Sequence, residues 1–262
     1  MQRLAWFSPV TPDRSAIARH SADLLPALAR GRTIDVYAPA PAADHQPGAA
    51  VVMDPGDFDR RQRDAPYDLI VYQLGAAAVV DDVWPFLLRY PGLVVLHEDN
   101  FHAARARMLL AEGRGDAYRA ELAYNHPGVP AAVGSLGVSG LLGGLERLWP
   151  MRRIVLDAAR AVLVHNAWLA ARIREEAPAV PVYSVEPGVP DVRGAAAGGA
   201  AVRKRYGVPE DAVVFAAAGA LTPARRLSRA LRALAAMPAG TPGWHLLGCV
   251  AAYDAAALLA ET

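Results

Sequence analysis

The feature that most constrains this chain is a repeated switch of hydrophobic period. Short apolar runs, too brief to be helices, alternate with segments whose apolar residues recur at helical spacing. Such alternation specifies a parallel α/β sheet with helical crossovers. Strands are expected at Leu4–Phe7, Thr33–Tyr37, Ala50–Met53, Leu69–Gln73, Leu93–His97, Ala161–His165 and Pro181–Val185. After the first strand and the Ser8–Arg14 loop, Ile17, Leu24, Leu25 and Leu28 mark the buried face of a helix. Further helices are expected over Phe101–Glu112, Asp116–Tyr124 and Arg147–Ala159. The glycines Gly134, Gly137, Gly140, Gly143 and Gly144 follow no strand and read as a mobile or tightly packed loop.

A break follows these elements. Gly188-Val189-Pro190 and the run Gly194–Ala200 have the small, featureless composition of a linker, or of a surface loop within one domain. A second strand–helix–strand unit then begins, with Ala212–Ala217, a helix from Thr222, and Trp244–Leu247; a last helix is expected over Ala251–Glu261. The expected organisation is a complete Rossmann-like parallel-sheet domain over residues 1–188, a linker over 189–204, and an incomplete second Rossmann-like domain over 205–262. Two strands cannot cover the helices of a doubly wound sheet, so the chain reads as a fragment.

Composition narrows the function. A formal net charge of +1 gives no global pull toward nucleic acid. Cys249 is the sole cysteine, which excludes an internal disulfide and any multi-cysteine zinc site; with no signal peptide legible at the N-terminus, a cytoplasmic location is expected. Lys204 is the only lysine and is followed by Arg205, so no P-loop can be written. The first strand-to-helix loop lacks G-x-G-x-x-G, which disfavours a dinucleotide enzyme.

Several positions could carry chemistry. In Gly219–Arg226, Thr222 is a favoured N-cap and Pro223 a favoured first helical residue. Free backbone N–H groups there, with Arg225 in the first turn, suit a diphosphate; the plainer reading is a well-capped helix with a solvated arginine stripe. His97 ends an apolar strand and is followed by Glu98, Asp99 and Asn100. Polar side chains beyond the carboxyl end of a parallel strand line the ligand crevice of open α/β sheets, although a histidine there can also simply cap the next helix. Asp57-Phe58-Asp59 matches a metal-binding triplet, which would suit a metal-dependent transferase, but the adjoining Arg60-Arg61-Gln62-Arg63 favours a solvated charged loop. His20, His45, His102, His126 and His245 show no metal-ligand spacing with one another, and no metal is expected. Arg147, Arg152 and Arg153 beside Trp149 read either as a weak peripheral membrane contact or as a solvated helix face.

Taken in order, several segments resemble glycosyltransferase family 4, retaining enzymes of GT-B architecture. Ser8–Leu28 resembles that family's opening P-x-x-P-x-x-S-G-I-A-x-x-x-x-x-L-L-x-A-L. Tyr67–His97 resembles the segment leading to its active-site H-D or H-E. Val162–Val189 resembles the run that closes its first domain, and Arg203–Leu234 is similar to the R-x-x-x-G-L-P-x-D…G-x-L-T-P-x-K-R-L that opens the second. The resemblance implies transfer of a sugar from a nucleoside-diphosphate sugar to a glycan, lipid or small-molecule acceptor, with retention and with no cofactor or nucleic-acid partner. It assigns His97 to the sugar and Gly219, Thr222 and Arg225, with Ser15 and Ala16 of the first domain, to the diphosphate; Glu98, Asn100 and His165 are further cleft candidates. Three departures stand out. Ala16 replaces a glycine, Ala220 stands where many members have arginine, and the paired donor-binding glutamates would lie beyond Thr262. The chain alone is therefore expected to be inactive, and a non-catalytic sugar- or nucleotide-binding protein of this fold is the alternative.

Overall fold

The computed structural model describes residues 2–13, 15–38, 50–188, 198–218, 227–238 and 243–249. The chain forms two compact units, Met1–Gly188 and Val189–Thr262. In chain order, the first contains β1 (Gln2–Phe7), α1 (Ala16–Leu28), β2 (Arg32–Tyr37), β3 (Val51–Met53), α2 (Phe58–Asp64), β4 (Leu69–Leu74), α3 (Trp84–Arg89) and β5 (Leu93–Leu96). It continues with α4 (His102–Ala111), α5 (Gly115–Asn125), α6 (Ala131–Val138), α7 (Arg153–Ala158), β6 (Ala161–Val164), α8 (Ala167–Glu176) and β7 (Val182–Ser184).

These strands make one parallel sheet in the order β3-β2-β1-β4-β5-β6-β7. The order reverses between β1 and β4, the switch point beyond whose carboxyl ends ligands bind in folds of this kind. Both faces are packed, as the uninterrupted apolar runs require. Leu4, Trp6, Val71 and Val95 join Ile34, Val36 and Leu25 of α1 on one face. Ala5, Phe7, Tyr72, Leu74, Val94, Leu96, Val162 and Val164 turn to the other. Each fully buried large side chain contributes roughly 1.5–3 kcal/mol.

Helix α1 is capped by Ser15, whose hydroxyl accepts from the Ala18 N–H at 3.2 Å. Of its expected apolar face, Ile17 and Leu25 are buried, whereas Leu24 and Leu28 are only half-buried and line a groove. Ser21 is buried instead, because the Trp6 indole N–H donates to its hydroxyl at 3.0 Å.

Two expectations in the long helical stretch need correction. No continuous helix spans Arg147–Ala159. Pro150 lacks an N–H and disfavours helical geometry at Trp149, and Met151 turns left-handed at φ 48°, so the helix restarts only at Arg153. The glycine-rich stretch is not simply a loop, since Ala131–Val138 is helical. Gly134 and Gly137 let α6 approach α5: a Cβ on Gly137 would meet the Tyr118 hydroxyl at 2.2 Å. Among the described residues, no helix is long and apolar enough to cross a membrane.

The second unit contains α9 (Gly199–Tyr206), β8 (Val213–Ala218), α10 (Leu227–Ala235) and β9 (Trp244–Cys249), with β8 and β9 parallel. Helix α9 occupies the latter part of the expected linker 189–204 and ends on left-handed Gly207, a common helix terminator. The expected helix over Ala251–Glu261 lies outside the described residues.

Gly92 holds β5 against β4, since a Cβ there would lie 2.4 Å from the Ile70 carbonyl oxygen. That oxygen is backbone and cannot rotate away. Gly92→Ala is expected to cost at least about 2 kcal/mol. Chemical denaturation checks this, and an unchanged midpoint would show that the two strands are not held in this way.

Candidate functional site

The site grows out of strand alternation and register. Leu96 of β5 sits level with Leu74 of β4 and Val164 of β6. Successive side chains point to opposite faces, so Gln73, His97 and His165 share the face of Val71, Val95 and Leu163. The pairing of β5 with β4 continues one residue past β5, where the His97 N–H donates to the Leu74 carbonyl at 2.9 Å. Helix α1 brings His20 to the same place on a stripe with Leu24 and Leu28. His20, Gln73 and His165 line one largely apolar groove of about 410 Å3 with Trp6, Leu24 and Val95.

Three imidazoles therefore converge. Ring centroids are 4.9 Å apart for His20–His97, 5.1 Å for His20–His165 and 5.0 Å for His97–His165. His97 Nε2 lies 2.7 Å from Gln73 Oε1, an oxygen that can only accept, so Nε2 carries the proton and Nδ1 the lone pair. His165 Nδ1–H donates to the Val185 carbonyl at 3.1 Å, which leaves the lone pair on Nε2. That Nε2 and the Gln73 amide nitrogen are buried without a partner among the described residues.

Burial disfavours the charged form of His97 and of His20. It lowers the His97 pKa from 6.5 to about 3, with the neighbouring His20 and His165 adding to the effect. His20 is lowered too, first by burial and then by His165, with Asp23 opposing. His97 is thus a neutral acceptor rather than a cation.

Other sequence candidates are distributed differently. Glu98 is exposed and, with Asp99, Asn100, Arg147, Arg152 and Arg172, lines a second cavity of about 540 Å3. Asn100, not His97, ties down the start of α4, its Oδ1 accepting from the His102 N–H at 3.0 Å. Ser15 is committed to the α1 cap, and its own N–H donates to Asp13 Oδ1 at 2.8 Å; Ala16 is exposed beside it. Gly219, Thr222 and Arg225 lie outside the described residues.

The charged triplet is helical rather than a loop. Asp57 pairs with Arg60 at 2.8 Å and Asp59 with Arg89 at 2.7 Å, so each carboxylate already has a guanidinium partner. Arg152 is buried against Glu176, with Nε donating at 2.7 Å, and therefore forms no exposed basic face with Arg147 and Arg153.

No protein-family model matches the chain, and no curated protein matches it. Two solved structures are similar to the chain. A UGT transferase from Siraitia grosvenorii in complex with UDP is 15% identical, with a TM-score of 0.41 covering 98% of this chain and 72% of that one. Medicago truncatula UGT71G1 complexed with UDP-glucose is 14% identical, with a TM-score of 0.42 over 99% and 69% respectively. Likeness this distant assigns neither substrate nor mechanism.

Sequence reasoning missed His20 and Gln73. The signal for Gln73 was a polar residue near the carboxyl end of an apolar central strand. For His20 it was a polar residue four and eight positions before Leu24 and Leu28 on one stripe.

A pH effect follows. Between about 6.5 and 3 the unfolded chain protonates His97 and the folded chain does not, so stability falls as pH falls through that window. From pH 6.5 to 5 one such proton is worth at most about 2 kcal/mol. In chelator-containing buffer, His97→Gln is expected to flatten the decline in denaturation free energy between pH 7 and 5. An identical decline in both proteins would place the titration elsewhere.

Proposed function

We propose that the chain is part of a glycosyltransferase that moves a sugar from a nucleoside-diphosphate sugar to an acceptor with retention of configuration. The observation that carries this reading is the place of His97. It is a neutral, half-buried imidazole just past the carboxyl end of a central parallel strand, beside the switch point of the sheet. The ordered resemblance of Ser8–Leu28, Tyr67–His97, Val162–Val189 and Arg203–Leu234 to glycosyltransferase family 4 supports it.

The tautomer refines the role of His97. With Nε2–H given to Gln73, the free Nδ1 accepts a hydrogen bond, so the group it takes is a sugar hydroxyl rather than a phosphate oxygen. The resemblance assigns the diphosphate charge instead to Gly219, Thr222 and Arg225, with Arg225 as the charged donor. In the transfer, the bond from the anomeric carbon to the donor phosphate breaks and a bond to the acceptor oxygen forms on the same face. The acceptor's proton passes to the departing phosphate oxygen. The reading includes a first domain over 1–188, a connection over 189–204 and a donor-binding portion from 205 onward. No metal takes part in this step.

The test uses the protein with any continuation of the reading frame beyond Thr262. Turnover is followed as nucleoside-diphosphate release across a panel of sugar nucleotides and acceptors. His97→Ala is expected to lower turnover at least tenfold with folding at neutral pH unchanged, and normal kinetics in that variant would remove His97 from the reaction. Arg225→Ala is expected to weaken sugar-nucleotide binding by tenfold or more, since a charged hydrogen bond is worth roughly 1.5–3 kcal/mol. Unchanged affinity by calorimetry would leave Arg225 a surface residue. Binding without turnover across the panel would favour a non-catalytic sugar- or nucleotide-binding protein.

A further inference from the structure

We propose that His20, His97 and His165 form a binding site for one zinc ion. One ring nitrogen from each lies within 4.8 Å of those of the other two. They come from three separate elements: the second turn of α1 and the residues just past β5 and β6. Chain spacing of 77 and 68 residues hides the trio in the sequence, as the positions themselves show.

The hydrogen bonds around the rings have the form that metal-bound histidines require. A ligating imidazole gives its other N–H to a carbonyl, carboxylate or similar acceptor, which sets the tautomer and aims the lone pair. His165 does this through Nδ1–H to the Val185 carbonyl, and His97 through Nε2–H to Gln73 Oε1. His20 makes no hydrogen bond among the described residues, so either of its nitrogens is available. The buried, partnerless Nε2 of His165 is the independent sign that an electron-pair acceptor belongs here. An isolated lone pair beside two other imidazoles has no stabilising partner in the protein itself.

The donor set selects the ion. Three imidazole nitrogens suit zinc and its first-row neighbours, whereas magnesium and calcium take oxygen ligands. Three histidines leave a fourth tetrahedral position for water. The Gln73 amide N–H, buried and unpartnered, is on hand to donate to that water. Zinc–nitrogen bonds of about 2.0–2.1 Å place tetrahedral nitrogens roughly 3.4 Å apart, so the rings must close by about 1.4 Å at most. Side-chain rotation of His20 on its helix can supply such a movement. The inference stands on the ring positions, their hydrogen bonds and the unpartnered His165 Nε2, and is independent of sugar transfer. Its consequence for that reaction is competition, since bound zinc takes the His97 lone pair.

The test is calorimetric titration of the chelator-stripped chain with zinc chloride, with magnesium chloride as the control. One equivalent of zinc is expected to bind with a Kd in the micromolar range or tighter, and magnesium is not. His20→Asn and His165→Asn, each confirmed folded by circular dichroism, are expected to weaken zinc binding at least 100-fold, while His245→Asn leaves it unchanged. Absence of zinc binding, or its survival in the double variant His20→Asn/His165→Asn, would overturn the proposal. Should those variants fail to fold, imidazole nitrogen NMR of the parent chain decides. Zinc-dependent shifts confined to His20, His97 and His165 support the site, and shifts confined to other histidines reject it.

Discussion

The arrangement depends above all on parallel strand register. Phe7, Leu74, Leu96 and Val164 end their strands close to one edge because β1 pairs with β4, β4 with β5 and β5 with β6 nearly in step. Parallel pairing sends every connection from that edge into a helix, so polar residues placed just past the strands gather on one side. A one-residue slip of β5 would turn His97 to the opposite face and put Leu96 among the imidazoles. Gly92 guards against it by letting β5 meet the Ile70 carbonyl without a side chain between them.

Within this frame, neutral and charged polar groups are kept apart. His97 and His20 are desolvated, which disfavours their protonation. Among the described residues, the buried charges Asp35, Arg105 and Arg152 lie elsewhere and are each paired. Arg105 holds Glu121 through two hydrogen bonds of 2.5 and 2.6 Å while its guanidinium lies 4.5 Å from the Trp84 ring, and Arg152 holds Glu176. These bidentate or close pairs tie α4 to α5 and the start of α7 to α8, and thereby fix the segments that follow β5. The histidine cluster has no carboxylate among its hydrogen-bond partners, and its rings are aimed by a backbone carbonyl and an amide. That difference sets it apart from the structural ion pairs.

Much of the fold could be read directly. The runs around Ala5, Val71, Val94 and Val162 are strands because they are short, apolar and bounded by turn residues, and burial on both faces is their only stable use. Helix α1 was legible from the spacing of Ile17, Leu24, Leu25 and Leu28, whereas the Ser15 cap was seen only in the structure. The stretch after α4 was less legible, since periodicity across Arg147–Ala159 looked helical while Pro150 and left-handed Met151 break the backbone. Gly134 and Gly137 misled for the opposite reason. Composition suggests a loop, but their missing side chains serve a close helix–helix approach against Tyr118 and Arg119.

By itself the sequence determined the parallel α/β architecture, the first helix and the position of His97 at a strand end, because hydrophobic period is a local property of neighbouring residues. Only the tertiary structure decided that Gln73, His20 and His165 surround His97. Their meeting depends on strand order, on register and on the angle of α1 over the sheet, none of which is encoded in the spacing of the residues along the chain. The neutrality of His97 was likewise a tertiary outcome, since burial is a property of the packed face and not of the residue.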